Sequence, residues 1–284
     1  MENMFDAIEF NTLFAEIDVL YDLSFLLMDL DHRGHRRLAS ILMNRYLDVT
    51  GGGGGLGLLG LFMSLRAAIR AHVDATAAHQ VSDAAAREAM RTEARSYLTL
   101  ARSYMDPSSP RLIATGGLSG SGKSRMAREL APLLGPAPGA RVVRSDSTRK
   151  RLAGVALTER LDQSGYSEAM TEKTYAAVMA ETVSALEAGH SVIADAVFAR
   201  EDERRAIEAV AARLGIPFTG LWLEADPAIM AARAENRTGN VSDADANVVQ
   251  KQLDYDLGTI TWKRVNSSGS RDESLHLGRL AAGL

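Results

Sequence analysis

Between Phe14 and about Met105 apolar side chains recur at helical spacing, as in Phe14, Ile17, Leu20 and Tyr21, and again in Leu61, Leu65, Ile69 and Val73. Side chains so spaced share one face of a helix. The pattern predicts helices near 12–31, 35–48, 56–79 and 83–105. Their breaks are the HRGH turn, the glycine run Gly51 to Gly55 and Val81-Ser82-Asp83, with Asp83 placed as an N-cap. At DPSSPR, Asp106 to Arg111, two prolines and small polar residues mark a boundary, and the texture changes. Beyond it short strand-like runs alternate with helical ones: RLIATG before a helix over 122–134, ARVVRSD, HSVIADAVF before a helix near 203–214, PFTGLWLEA before a helix from Pro227, and finally TITWKRV. Such alternation predicts βαβ units and a mostly parallel sheet covered by helices. The expected organisation is an all-α subdomain over 1–105 followed by an α/β domain over 106–284.

Composition narrows the classes. The 284 residues are 46% hydrophobic, enough to fill a core. A net charge of -4 supplies no overall basic surface to neutralise a phosphate backbone, which weighs against a dedicated nucleic-acid binder. Without cysteine the chain has no disulfide, thiolate metal site or cysteine nucleophile. The N-terminus MENMFDAIEF lacks the regions of a signal peptide, and the longest uncharged stretch, Thr50 to Leu65, is short for a membrane span. The expectation is a cytoplasmic protein without a membrane partner.

The clearest chemistry lies in Gly117-Leu118-Ser119-Gly120-Ser121-Gly122-Lys123-Ser124, which fits GxxxxGK[ST] between an apolar strand and an amphipathic helix. Glycines let successive N–H groups converge on a phosphate, and the start of the helix adds partial positive charge. In that arrangement Lys123 reaches the β and γ phosphates of ATP and the Ser124 hydroxyl is a ligand of Mg²⁺. The other glycine run has neither Lys nor a preceding strand and is read as a helix connection.

Candidates for chemistry beyond phosphate binding follow the later strands. Asp146, in RSDSTRK, falls at the carboxyl edge of the sheet, where it could orient a substrate hydroxyl and accept its proton. Arg149 and Lys150 follow within a helical turn and could hold an anionic substrate; the alternative is a helix-capping Asp146 with both cations on a solvated face. Asp195 ends the run VIAD, as a metal-holding acid or as a strand-end Asp bound to loop amides. Arg233 and Arg237 stand one helical turn apart before a polar loop, as lid arginines or as surface residues. Asp243 and Asp245 read as loop acids, with contact to a substrate as the weaker alternative.

Together GLSGSGKS, SDSTRKRL, VIADAVF and RAENR resemble the P-loop small-molecule kinases, a group including gluconate kinase, zeta toxins, chloramphenicol phosphotransferase and polynucleotide kinase, over roughly residues 110–268. The resemblance implies a five-stranded parallel core, nucleotide and metal on Lys123 and Ser124, Asp146 as base and Arg233 or Arg237 in a lid. Arg125 departs from the Thr that many relatives carry after the Ser, with altered packing the expected consequence. FDAIEFNTLFAEIDVLYDLSFLLMDL resembles the tail of an aminoglycoside phosphotransferase-like domain, with Asp6 at its metal-binding position and Asp18 and Asp22 in its DxxxDL helix. No histidine lies in an HGD catalytic loop. The whole resembles bacterial two-part proteins often named AAA family ATPases, and the expectation is that the first part is truncated here. The implied function is ATP- and Mg²⁺-dependent transfer to a hydroxyl of a small molecule. Its alternatives are a nucleotide-gated module without an acceptor and a 5'-hydroxyl nucleic-acid kinase. The helical half is a candidate for self-association.

Overall fold

The computed structural model describes residues 18–51, 53–236 and 241–284. Asp6 lies outside the described residues, as does the expected start of the first helix.

The compact units do not follow a single cut near residue 105. The first holds the described residues up to His35 together with Leu58–Asp106, and the second holds Arg36–Gly57 with Pro107–Leu284. In the first unit α1 (Val19–His32), α3 (Leu59–Ala78) and α4 (Ala84–Ser103) pack together. Asp18 and Asp83 cap α1 and α4 by accepting from Leu20 N and Ala86 N. Asp22 accepts from Arg66, whose guanidinium lies 4.0 Å over the Tyr21 ring. The pair Asp18 and Asp22 is thus one cap and one ion-pair partner.

The helix predicted over 56–79 is found, but its buried face is not the one with the largest side chains. Leu59, Met63, Ala67 and Ala71 are buried, whereas Leu61, Leu65, Ile69 and Val73 are between 41% and 49% exposed. The helix is apolar on more than one side, so periodicity alone does not choose between faces. The face with alanines is the buried one, in a helix that packs against both α1 and α4. Among the described residues the helical run Gly53–Ala78, mean hydropathy 1.3, is the one long and apolar enough, by length and composition, to cross a membrane. It outruns the Thr50 to Leu65 stretch because helix continues past Arg66.

In the second unit β1 (Leu112–Gly116), β2 (Arg141–Arg144), β3 (Val192–Asp195), β4 (Phe218–Glu224) and β5 (Lys263–Asn266) form a sheet of order β2-β3-β1-β4-β5. Every pairing is parallel, with Thr115 and Arg144 both in register with Asp195. Residues Leu112 to Gly116 are all buried, as expected of a central strand covered on both faces. The strands alternate with α5 (Lys123–Leu130), α6 (Ser145–Leu152), α7 (Glu168–Glu187), α8 (Glu201–Leu214), α9 (Pro227–Glu235), α10 (Ala246–Leu253) and α11 (Arg271–Ala282). The helix expected over 122–134 is shorter, because Pro132 falls in a 3-10 turn over Ala131–Leu133. Ile113, Met126, Leu130, Val142, Ile193, Leu221 and Val265 build the core beneath α5.

The remaining helix, α2 (Arg36–Thr50), joins this sheet rather than the other helices. Strand β2 is an edge, and its backbone needs partners. Asn44 supplies them as a further strand would: its Nδ2 donates to Ala140 O at 3.1 Å, and its Oδ1 accepts from Val142 N at 2.7 Å. The glycine run then forms a 3-10 turn over Gly53–Leu58, with Gly52 outside the described residues.

Replacing Asn44 by Ala orphans the buried Val142 N–H, and the expected loss is about 1–3 kcal/mol, read as a lower urea midpoint. His190 offers a pH signature. Burial depresses its pKa below 6.5, against a bond with the Leu56 backbone that works the other way. The neutral ring is the folded form, so the unfolded chain takes up the proton first as pH falls. Stability from this group is complete above 6.5 and declines below it, at no more than about 1.4 kcal/mol per pH unit. A denaturation series from pH 8 to 5 should show that decline, reduced in His190→Gln.

Candidate active site

The chain leaves β1 at Gly116 and enters α5 at Lys123, and the loop between is held from several sides. Gly117 N donates to Val197 O at 3.1 Å, just past β3. Leu118 packs with Met230, Ala234 and Val249 of α9 and α10. Ser119 N donates to Gln252 Oε1 at 2.7 Å, and Ser121 O accepts from Ser267 Oγ at 2.6 Å. Gly120 sits at φ +84, where a Cβ would run into the Met230 carbonyl oxygen. Two constraints therefore demand glycine there, the left-handed backbone and the space.

Beside the loop lies a cavity of about 240 Å³, lined in part by Gly122, Lys123, Ser124, Arg125, Arg233 and Arg271. Arg233 donates to Ser267 O at 2.8 Å, and its Nη1 is 4.0 Å from where a Gly122 Cβ would be. Burial lowers the Arg233 pKa, and Arg125 and Arg271 lower it further. Like charges gathered this way face a cost that an anion in the cavity removes. Arg233 thus borders the cavity next to the glycine loop. Arg237 lies outside the described residues.

The acids gather at the same edge of the sheet. Asp195 ends β3 and is 3% exposed. Its Oδ2 accepts from Arg144 Nε at 3.3 Å, while its Oδ1 is buried without a hydrogen-bond partner. Burial works against the Arg144 cation, but Asp195, Asp146 and Asp48 outweigh it and hold the pKa above the ordinary value. Arg144 thus lies within electrostatic reach of both candidate acids. Asp146 is in the first turn of α6, not its cap, which is Arg144.

Arg149 and Lys150 do not lie on a solvated face, since both are buried and bonded to protein. Arg149 donates to Gly165 O at 2.9 Å and Thr171 Oγ1 at 3.2 Å, and lies 5.0 Å over the Tyr166 ring. Lys150, 1% exposed, pairs with Asp243 at 2.7 Å. Asp243 also accepts from Leu161 N at 3.0 Å and Tyr166 Oη at 2.8 Å, so it fastens the segment before α10 rather than serving as a surface loop acid. Asp245 caps α10 and pairs with Arg160. Burial, the bond to Asp243 and the nearby Asp146 push the Tyr166 phenol above its ordinary pKa, so it is a protonated donor at neutral pH.

Sequence reasoning passed over Gln252, Ser267, Arg204 and Arg271. Arg204, 2% exposed, donates to the carbonyls of Phe198, Ala199, Leu257 and Thr259. It pins the loop after β3, where Phe198 holds φ +50, uncommon without glycine. Ser267 had a signal, since NSSGS follows the last strand at the ligand-gathering edge. Gln252 had a weaker one, a polar residue three positions after Val249 on the buried face of α10.

A protein-family model described as an AAA domain matches residues 112–256. An uncharacterised protein of Mycobacterium tuberculosis strain H37Rv is 30% identical over 280 residues, covering 96% of this chain and 54% of its own. The chain spans about half the length of the curated relatives it matches. A gluconokinase from Sinorhizobium meliloti 1021 is 19% identical in structural alignment, covering 62% of this chain and 93% of its own at a TM-score of 0.44. The Mycobacterium tuberculosis APS kinase CysC, solved with AMPPNP and APS, is 21% identical, covering 63% and 100% at a TM-score of 0.41.

Gly120→Ala is expected to destabilise the fold by about 2 kcal/mol or more, from left-handed strain plus a backbone clash. Gly154, at φ +70 with nothing within 4 Å of a Cβ, is the control, and its alanine variant should show only the smaller, strain-limited loss. Urea denaturation of both variants measures the difference.

Proposed function

The chain belongs to the AAA domain family, and from that premise we propose that it is an ATP-dependent phosphotransferase acting on a hydroxyl of a small molecule. The observation that carries the reading is the gathering of charge at one sheet edge: Lys123 and the arginines 125, 128, 233 and 271 line the cavity with the acid Glu129 among them, while Asp146 and Asp195 share Arg144.

ATP fits the loop by its triphosphate. The backbone N–H groups at the start of α5 and the Lys123 ammonium favour the β and γ phosphates. Arg233 is the lid cation for the γ phosphate. Mg²⁺, when bound, neutralises charge on the phosphate oxygens, and Ser124 Oγ and the orphaned Asp195 Oδ1 would hold it. Among the described residues no group of three or more His, Cys, Asp or Glu could hold a metal. That suits Mg²⁺, which keeps waters and phosphate oxygens as ligands rather than an all-protein cage.

In the proposed step an acceptor hydroxyl oxygen forms a bond to the γ phosphorus as the bond to the β,γ-bridging oxygen breaks. Asp146 takes the hydroxyl proton and ADP carries away the bridging oxygen.

Asp146→Asn should lower transfer by about 100-fold or more while leaving ATP affinity within about 3-fold. Lys123→Ala should weaken ATP binding as well as transfer. Incubation with γ-labelled ATP against a panel of sugars, nucleosides and aminoglycosides identifies the acceptor. Full transfer by Asp146→Asn would refute its role as base, and hydrolysis with no labelled product across the panel would favour a nucleotide-gated module.

A further inference from the structure

Helix α2 lies outside the family-matched residues 112–256, yet it is bonded to the two helices that carry Lys123 and Asp146 in the proposed reaction, α5 and α6, and to strand β2. At its start Arg37 grips Glu129 on the phosphate helix α5 through two bonds, Nε to Oε2 at 2.9 Å and Nη2 to Oε1 at 2.6 Å. In its middle Asn44 closes the open edge of β2. At its end the buried Asp48 accepts from Arg141 Nη1 at 2.8 Å through Oδ1 and from Ser147 Oγ at 3.0 Å through Oδ2. Arg151, at the far end of α6, donates to the Asp48 carbonyl at 3.3 Å and pairs with Glu181, which lies 3.5 Å from Arg141.

The consequence concerns Asp146. It stands in the first turn of α6, next to Ser147, and that turn is tied through the Ser147 hydroxyl to one carboxylate more than 90 residues away in sequence. A short helix of this length has little stability of its own, so its position depends on such tertiary bonds. A base displaced by a fraction of an ångström loses its reach to the acceptor proton, while the phosphate loop, held by Gln252, Ser267 and Val197, is unaffected.

We propose that α2 is a strut of the catalytic apparatus that spans the phosphate helix and the base helix, and that Asp48 is a positioning residue for Asp146. The role given to Asp146 rests on the phosphotransferase reading; the strut itself does not. It follows that the working nucleotide domain begins near Arg36 and includes a helix contributed by the N-terminal half.

Hydrogen exchange on the full chain, followed by mass spectrometry, tests this in wild type, Ser147→Ala, Asp48→Ala and Asp48→Asn. Amides of residues 145–152 should exchange about 10-fold faster in Asp48→Ala and measurably faster in Ser147→Ala, with those of 123–130 within about 2-fold of wild type. Asp48→Asn keeps an acceptor and should fall between wild type and Asp48→Ala. Transfer in these variants should lose kcat by about 10-fold, with KM for ATP within about 3-fold. Unchanged exchange over 145–152 in both alanine variants would overturn the proposal, as would acceleration spread evenly over the sheet. If Asp48→Ala does not fold, Ser147→Ala decides alone. A wild-type chain without transfer would count against the phosphotransferase reading and leave the exchange result to decide the strut.

Discussion

The turn from β1 into α5 is the constraint on which the rest of the second unit depends. A strand buried on both faces delivers the chain to the carboxyl edge of the sheet, and the helix begins a few residues later. Between them the backbone must curl tightly enough to aim its N–H groups inward, which requires left-handed glycine at Gly120. A loop so curled has few bonds of its own. The segment after β3, the residue after β5 and helix α10 supply them through Val197, Ser267 and Gln252. Three elements far apart in sequence are thereby committed to one loop, and the strand order places them around it.

Charge is distributed to match. The cations Lys123, Arg125, Arg233 and Arg271 border the cavity. The acids Asp146 and Asp195 lie around Arg144, whose burial is tolerable because carboxylates surround it. On the proposed reading negative charge moving through the site meets fixed cations, and the proton meets a carboxylate that the same strands position. The buried Lys150–Asp243 pair has a different task, fastening the segment that precedes α10, and so keeps the Gln252 helix over the loop.

Much of this was legible in the sequence because it is local. The glycine spacing of GLSGSGKS announces a tight turn, and the runs LIATG, RVVR, VIAD, FTGLWLE and KRVN are strands where alternation with helices places them. What escaped was long-range. Periodicity identified the helix over Leu59–Ala78 but favoured Leu61 and Leu65 over Met63 and Ala67, because a face of small residues carries a weaker hydrophobic signal than an exposed one of leucines. Arg149 and Lys150 looked available because nothing near them in sequence announces Gly165 or Asp243. The placement of Arg36–Thr50 against β2 depends on Asn44 and Asp48, whose partners lie more than 90 residues on. No pattern within a helix reveals that its asparagine imitates a strand.

The measurement that bears most directly on the central claim is a calorimetric titration of the chain with ATP in the presence of Mg²⁺, with ADP and AMP as competitors. Both tryptophans provide a second readout, since Trp222 and Trp262 lie where a side chain on Gly116 would be, one residue before the loop. The account predicts one saturable site per chain, displaced by ADP and far less well by AMP, with a change in tryptophan fluorescence that follows the same isotherm. Absence of heat and of a fluorescence change at millimolar ATP would contradict it.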